Sequence, residues 1–281
     1  MSEIWCNGLW LPAANHPGTG QDRGALFGLG LFETMLAIDG CLVFADRHLA
    51  RIQKSCARFR WEIEFPDLRV IATELLVRNG LAIGRARLRL VVTAGSGPLN
   101  DLIPGADRLV WLSAFPAAEP PAFLTACLSP WPRNEHSPLA GLKSACWAEN
   151  LVALDHARRH GCDEVIFLNT AGHFCEAATA NLFLVKNGVL LTPSLDSGCL
   201  PGVMREVVLG LAGEIGLACA ETVLMPEDLN SADEIFLTSS LRGPVPLSRF
   251  ETRELPPGLV CGQLRAALTA AIDRTTANRV V

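Results

Sequence analysis

Three dipeptides constrain the fold of this chain most. Asn7-Gly8, Asp39-Gly40 and Asn187-Gly188 each stand between short, largely apolar runs. Such pairs readily take two successive positive φ angles, as the tightest connection between antiparallel strands requires. So "EIWCNGLWLPA", "LFETMLAIDGCLVF" and "NLFLVKNGVLLTP" are predicted hairpins. "EVIFLNTAGHFCEA" looks like a fourth. "RARLRLVVTAG" alternates Arg85, Arg87 and Arg89 with apolar residues, a strand with one polar face.

Helical spacing interrupts these hairpins. "ADRHLARIQKSCARF" is a predicted helix with Asp46 as its cap. A second follows Lys143, with Trp147, Leu151, Leu154 and Ala157 as its apolar positions and Gly161 as its stop. A third spans about 203–215 before Gly216, and a fourth about 262–274. "EIFLTSSLRGPVPL" reads as a strand running into a polar loop, and "SAFPAAEPPAF", residues 113–123, as a linker. Hairpins mixed with helices favour an α+β or mixed α/β architecture over a doubly wound parallel sheet.

Composition narrows the function classes. The 281 residues are 49% hydrophobic and 19% charged, with net charge -5, a globular balance. No basic run is present, so neither nucleic acid nor an anionic membrane is an expected partner. No apolar run reaches spanning length, and "MSEIWCNGLWLPA" lacks the pattern of a signal peptide. The ten cysteines are scattered without a CxxC; buried, reduced thiols in a cytoplasmic protein are expected. His156 and His160 form one HxxxH pair, but no third ligand accompanies them, so no metal site is expected.

"FGLGLFE" has two glycines of a dinucleotide fingerprint, but Glu33 occupies the third position and a strand follows. A tight turn into a strand explains it better. Lysine carries more information. Of 24 basic side chains only Lys54, Lys143 and Lys186 are lysines. Lys54 lies in a charged helix and Lys186 beside a turn. Lys143 sits among small and apolar residues at a loop–helix junction, in "GLKSACWAEN". A lysine can lose its proton when desolvated and attack a carbonyl, which arginine cannot do. That chemistry suggests pyridoxal phosphate, whose other needs are an acid for the ring nitrogen and a cradle for the phosphate. "CEAATANLF", "GCLPGVMRE", "LTSSLRG" and "HLAR" offer candidates for each.

Taken in order, "GLGLFETM", "HLARI", "LKSACWAENLVA", "DEVIFLNTAGHFCEAATANLFLVKNGVLLTP", "LPGVMR" and "FLTSSLRGPVP" resemble the class IV aminotransferases, the fold-type IV pyridoxal-phosphate enzymes, from about Asp22 to Val245. The resemblance implies a two-domain fold like that of D-amino acid aminotransferase. It implies a small α/β domain over 1–116, a linker at 117–120 and a larger cofactor-binding domain over 121–281. It also implies a homodimer acting on a small amino substrate. By the same resemblance Lys143 is the Schiff-base lysine, Glu176 the partner of the ring nitrogen and Arg51 a phosphate ligand. Gly202, Val203 and Met204 form the phosphate-facing turn, Ser240 adds a hydroxyl, and Leu200 packs on the ring. Phe32 and Thr34 stand at the substrate pocket, with Thr34 a catalytic candidate. Arg89 and Arg242 are candidates for a substrate carboxylate.

"LFET" and "SSLRGPVP" resemble the aminodeoxychorismate lyases of the family more than its branched-chain aminotransferases. The expectation is a lyase releasing pyruvate and 4-aminobenzoate, the folate precursor. The alternative is an aminotransferase for D-amino acids or branched-chain L-amino acids. Three positions differ from the common pattern: Leu29, where an acid is frequent, Ala94, where an arginine is, and Trp147, where a tyrosine or arginine is. The chain has no tyrosine, and an indole N–H can only donate.

Overall fold

The computed structural model describes residues 2–18 and 20–277. The chain divides into two compact units, Met1–Glu119 with Leu142–Trp147, and Pro120–Gly141 with Ala148–Val281. Strands and helices alternate in both units, a mixed α/β fold.

The first unit contains β1 (Glu3–Cys6), β2 (Leu9–Pro12), α1 (Arg23–Phe27), β3 (Gly30–Ile38), β4 (Cys41–Leu42), α2 (Ala45–Arg58), α3 (Leu68–Arg78), β5 (Arg85–Thr93) and β6 (Val110–Pro116). Its six-stranded sheet runs β2-β1-β6-β5-β3-β4. Asn7 and Gly8, and likewise Asp39 and Gly40, adopt positive φ, so both predicted turns form as read. β3 and β5 pair antiparallel over nine residues, with Thr34 opposite Arg89. α2 buries Ala45, His48, Ile52, Ser55 and Cys56, a stripe of helical period. Its cap is Phe44, in the left-handed region; Asp46 lies inside the first turn and pairs with Arg69 instead. The expected linker begins later than its composition suggests. Val110–Pro116 pairs with β5 through Pro116, which stands opposite Ala86, so 113–116 continue the strand.

The Lys143 segment returns to this first unit rather than staying with the continuous second block that the sequence suggests. β4 pairs only with Ala37 and Ile38, so the start of β3 has an uncovered edge. Residues 143–145 take it, with an antiparallel bridge between Leu31 and Ser144. Phe32 N–H donates to the Lys143 carbonyl at 2.9 Å, and Ala145 N–H to the Gly30 carbonyl at 2.8 Å.

The second unit contains β7 (Leu124–Leu128), α4 (Ala148–Arg159), β8 (Glu164–Leu168), β9 (Phe174–Ala177), β10 (Asn181–Lys186), β11 (Val189–Pro193), α5 (Val203–Glu214), β12 (Cys219–Thr222), α6 (Pro226–Asn230), β13 (Glu234–Ser239), β14 (Gly243–Phe250), β15 (Arg253–Glu254) and α7 (Leu259–Ala277). The sheet runs β12-β11-β10-β13-β14-β7-β8-β9, with β15 beside β14. Parallel pairs β14/β7 and β7/β8 adjoin antiparallel hairpins, which makes it mixed. Phe183 and Phe236 stack at 5.1 Å between the adjacent strands β10 and β13.

α4 buries Asn150, Ala153 and Ala157, while Leu151 is 57% exposed. A small-residue face lets the helix approach β8 closely; Leu154 packs beside it, while Leu151 and Val152 point away. The polar loop after β13 is only a short turn, because residues 243–250 form β14 and pair back along β13. All ten cysteines are free thiols, and no helix among the described residues is long and apolar enough to cross a membrane.

Candidate active site

In the first unit, strand alternation sends Phe32 and Thr34 to one face of β3 and Glu33 to the other. Lys143, pinned by its backbone to β3, places Nζ 4.5 Å from the Phe32 ring centroid and 4.8 Å from that of Trp147. The two rings meet edge-to-face at 5.2 Å. The Arg89 guanidinium lies 4.1 Å over the same Phe32 ring. So Lys143, Arg89, Phe32 and Trp147 come together, with Thr34 in register with Arg89. Cys146, three residues past the lysine, directs its thiol to the Gly28 carbonyl at 3.4 Å. Gly28 caps α1 with φ 69°, and a Cβ there would lie 2.8 Å from the Cys146 sulfur. A glycine is needed for both reasons, which accounts for the first glycine of "GLG".

On the opposite face, α2 supplies His48 and Arg51 to Glu33. Arg51 donates Nε to Oε1 at 2.7 Å and Nη2 to Oε2 at 2.6 Å. His48 Nδ1 lies 2.7 Å from Oε2. Glu33 is buried, and burial by itself would push its carboxyl up. Burial is the largest single effect, but the Arg51 charge, the hydrogen bonds of His48 and Arg51 and the His48 charge together outweigh it and hold Glu33 at about 2. Arg51 is therefore fixed in rotation by a two-point ion pair. Arg51 is a site residue expected from the sequence; its partners Glu33 and His48 are not. The spacing "HxxR" and the acid of "FET" were legible, but their pairing needs the α2–β3 packing.

In the second unit Glu176 lies on β9. Its Oε2 accepts the Leu200 N–H at 2.9 Å, and its Oε1 is 3.9 Å from Arg133 Nη2. Leu200 thus contacts Glu176 through its backbone, and its carbonyl accepts Asn181 Nδ2 at 2.9 Å. Asn181, also missed from sequence, closes on Gly202 as well: a Cβ on Gly202 would run into Asn181 Oδ1. Gly202 is the N-cap of α5 and has no side-chain cap. Val203 and Met204, both buried, open the helix, so their N–H groups belong to the turn that lacks intrahelical partners. An uncapped N-terminus with no room for a side chain suits a phosphate.

Ser240 stands one residue past β13, half-buried in the turn to β14. Beside it Arg242 donates Nη2 to Glu164 Oε1 at 2.9 Å and to Thr179 Oγ1 at 2.7 Å, and Nε to Ser239 Oγ at 3.3 Å. Thr179 also bonds Glu164. This network ties the loop after Glu176 to the turn carrying Ser240. His156 and His160 adjoin each other at 4.1 Å, but no group of three potential metal ligands exists among the described residues.

An amine, a carboxylate and a helix N-terminus are the donor set that pyridoxal phosphate requires, and comparisons with known proteins agree. The model of the amino-transferase class IV family matches residues 30–250. The branched-chain-amino-acid aminotransferase of Salmonella typhimurium is 30% identical over 285 residues, covering 95% of this chain and 91% of that protein. The aminodeoxychorismate lyase of Bacillus subtilis is 26% identical over 282 residues, covering 99% and 96%. The crystal structure of the Escherichia coli branched-chain amino acid aminotransferase superposes with a TM-score of 0.89 at 26% identity, covering 96% and 94%. The chain belongs to the class IV aminotransferase family and is a pyridoxal-phosphate-dependent enzyme.

Proposed function

We propose that this enzyme is a 4-amino-4-deoxychorismate lyase, forming 4-aminobenzoate and pyruvate for folate synthesis. One observation carries the reading: Lys143 Nζ and the Arg89 guanidinium both lie against the Phe32 ring, and Thr34 stands opposite Arg89 in the sheet. A proton-moving amine, a carboxylate-binding cation and a hydroxyl are thereby gathered on one apolar floor. The match to the Bacillus subtilis lyase across 99% of the chain supports it.

When bound, pyridoxal phosphate would supply the electron sink for the carbon that bears the substrate amine. Lys143 takes the proton from that carbon as general base. Arg89 holds a substrate carboxylate with its fork of donors. It is preferred over Arg242, whose guanidinium is committed to the buried Glu164. Loss of the proton that Lys143 takes breaks the C–O bond to the pyruvate fragment; Thr34 gives a proton to the departing fragment and regains one from the protonated Lys143 amine, so the step balances. Phe32 and Trp147 exclude water from the amine. Glu176 would pair with the cofactor ring nitrogen, and Leu200 would pack near the ring. Ser240 and the N–H groups of Gly202, Val203 and Met204 would bind the phosphate, and Arg51, held in orientation by Glu33, would add positive charge there.

A second reading, an aminotransferase for branched-chain L-amino acids or D-amino acids, is favoured by the 30% identity to a branched-chain enzyme. The experiment is direct. Purified enzyme given aminodeoxychorismate without any keto acid should release 4-aminobenzoate, read by its fluorescence. Conversion of the bound cofactor to its amine form by a branched-chain or D-amino acid, with no 4-aminobenzoate formed, would select the second reading. We further propose a cytoplasmic homodimer. Leu26 and Phe27 on α1 and Leu151 and Val152 on α4 are exposed apolar side chains that a second copy would cover, and light scattering reports the mass.

A further inference from the structure

Arg133 is the most unusual cation in the second unit. Its guanidinium lies 4.2 Å over the ring of the buried Phe167. Nη1 donates to Glu149 Oε2 at 2.7 Å and to Asn150 Oδ1 at 3.3 Å. Its backbone is held too, with the Arg133 N–H donating to the Leu168 carbonyl at 2.7 Å. Nε and Nη2 are buried and make no hydrogen bond. Buried donors without partners are costly, and natural proteins rarely keep them without a reason.

The reason is in the direction Nη2 faces. It stands 3.9 Å from Glu176 Oε1, while the other oxygen of that carboxylate accepts the Leu200 N–H. Glu176 is thus held from two sides, by a backbone donor and by a charge. The thiols beside it are neutral at working pH: burial pushes Cys199 up to about 11, and Cys175 further still. Asn150, the other partner of Nη1, donates Nδ2 to the Ala178 carbonyl at 2.6 Å. The start of α4, the Arg133 fork and the strand bearing Glu176 therefore form one connected unit.

We infer that Arg133 is a positioning residue that acts through Glu176, fixing the orientation and the charge of that carboxylate. The inference rests on the assignment of Glu176 to the cofactor ring nitrogen. An arginine is needed rather than any cation. The planar fork is clasped by Glu149 on one nitrogen and aimed at Glu176 with another, while its face rests on an aromatic ring; a lysine offers a point charge without the fork.

The test uses the holoenzyme and reads two quantities besides activity. One is the pH at which the visible absorption of bound pyridoxal phosphate is half lost on acidification. The other is the half-life of cofactor release on dialysis. Removing a cation beside a carboxylate makes that carboxylate easier to protonate. Arg133→Met should therefore raise the acid midpoint by about one pH unit and shorten the release half-life about tenfold. Arg133→Lys should keep the midpoint near wild type but still release faster, since charge returns without orientation. If Arg133→Met fails to fold, Arg133→Lys and Glu149→Ala remain decisive: both should speed release. Unchanged midpoint and release in the folded Arg133→Met protein would overturn the inference, as would equal midpoints for the Met and Lys variants. Glu176→Gln separates the two levels. If it leaves absorption and release unaltered, the assignment of Glu176 has failed; if it alters them while Arg133→Met does not, only the role of Arg133 has.

Discussion

Glu33 and Arg51 face each other across the α2–β3 packing in a two-point ion pair, both bonds under 2.8 Å, with Glu33 only 1% exposed. Breaking a buried pair leaves an uncompensated charge, which costs more than the pair contributes. Glu33→Ala should therefore destabilise the protein by about 3–5 kcal/mol, read as a lowered urea midpoint. His48→Ala removes one charge-assisted hydrogen bond and should cost about 1.5–3 kcal/mol. Equal midpoints for wild type and Glu33→Ala would refute the argument.

The same pair gives a pH dependence. Glu33 is held at about 2 in the folded protein against an ordinary value of 4.5. Its folded value is depressed, so its stabilisation is complete above about pH 4.5 and is lost as pH falls through 2. The contribution is about 3 kcal/mol. Urea titrations between pH 5 and 3 should show stability falling with acid, and the fall should be smaller in Glu33→Gln.

Lys143→Arg should keep the fold and lose turnover by at least about a thousandfold. The segment is held through backbone atoms of 143 and 145, which the substitution leaves in place. Circular dichroism should match wild type while the visible absorption of the bound cofactor disappears. A variant that turns over at the wild-type rate would remove the basis of the proposed mechanism.

Gly202→Ala should disrupt the start of α5, because its Cβ meets Asn181 Oδ1. The expected cost is about 1–3 kcal/mol, together with weaker retention of pyridoxal phosphate. Asn181→Ala in the same chain should recover part of the loss, since the obstructing atom is gone. That coupling, measured as a double-mutant cycle, distinguishes a steric origin from a general weakness of the turn.

Arg89→Leu should raise KM for a carboxylate substrate about 10- to 100-fold, as expected for losing a charge-assisted contact. The Arg89 side chain rests on Phe32, so Arg89→Lys should recover binding only in part. The readout is steady-state KM with kcat compared separately. An Arg242 variant that raises KM while Arg89→Leu does not would move the carboxylate site to Arg242.

Some of this protein was decided over a few residues of chain. The turns at Asn7-Gly8, Asp39-Gly40 and Asn187-Gly188 form where they are written, since positive φ is a local matter. The boundaries of α5 and β5 follow their hydrophobic period, and the rarity of lysine marked Lys143 before any fold was known. Where the local signal misled, tertiary packing had overridden it. Leu151 matched the spacing of α4 yet is exposed, while Leu154 and Ala157 of the same stripe pack inward beside Asn150 and Ala153. Asp46 had the chemistry of a cap, but Phe44 turned the chain first and Asp46 found Arg69.

The partnerships that equip the candidate site belong to the tertiary structure alone. Residues 143–145 add to β3 because β4 leaves an edge open there, over a hundred positions away along the chain. Glu33 finds His48 and Arg51, and Glu176 finds Arg133 and Leu200, through packing that no local pattern encodes. Turns and periodicity are set by sterics within a few residues. Charge pairing and edge closure depend on which surfaces meet once the apolar faces are buried.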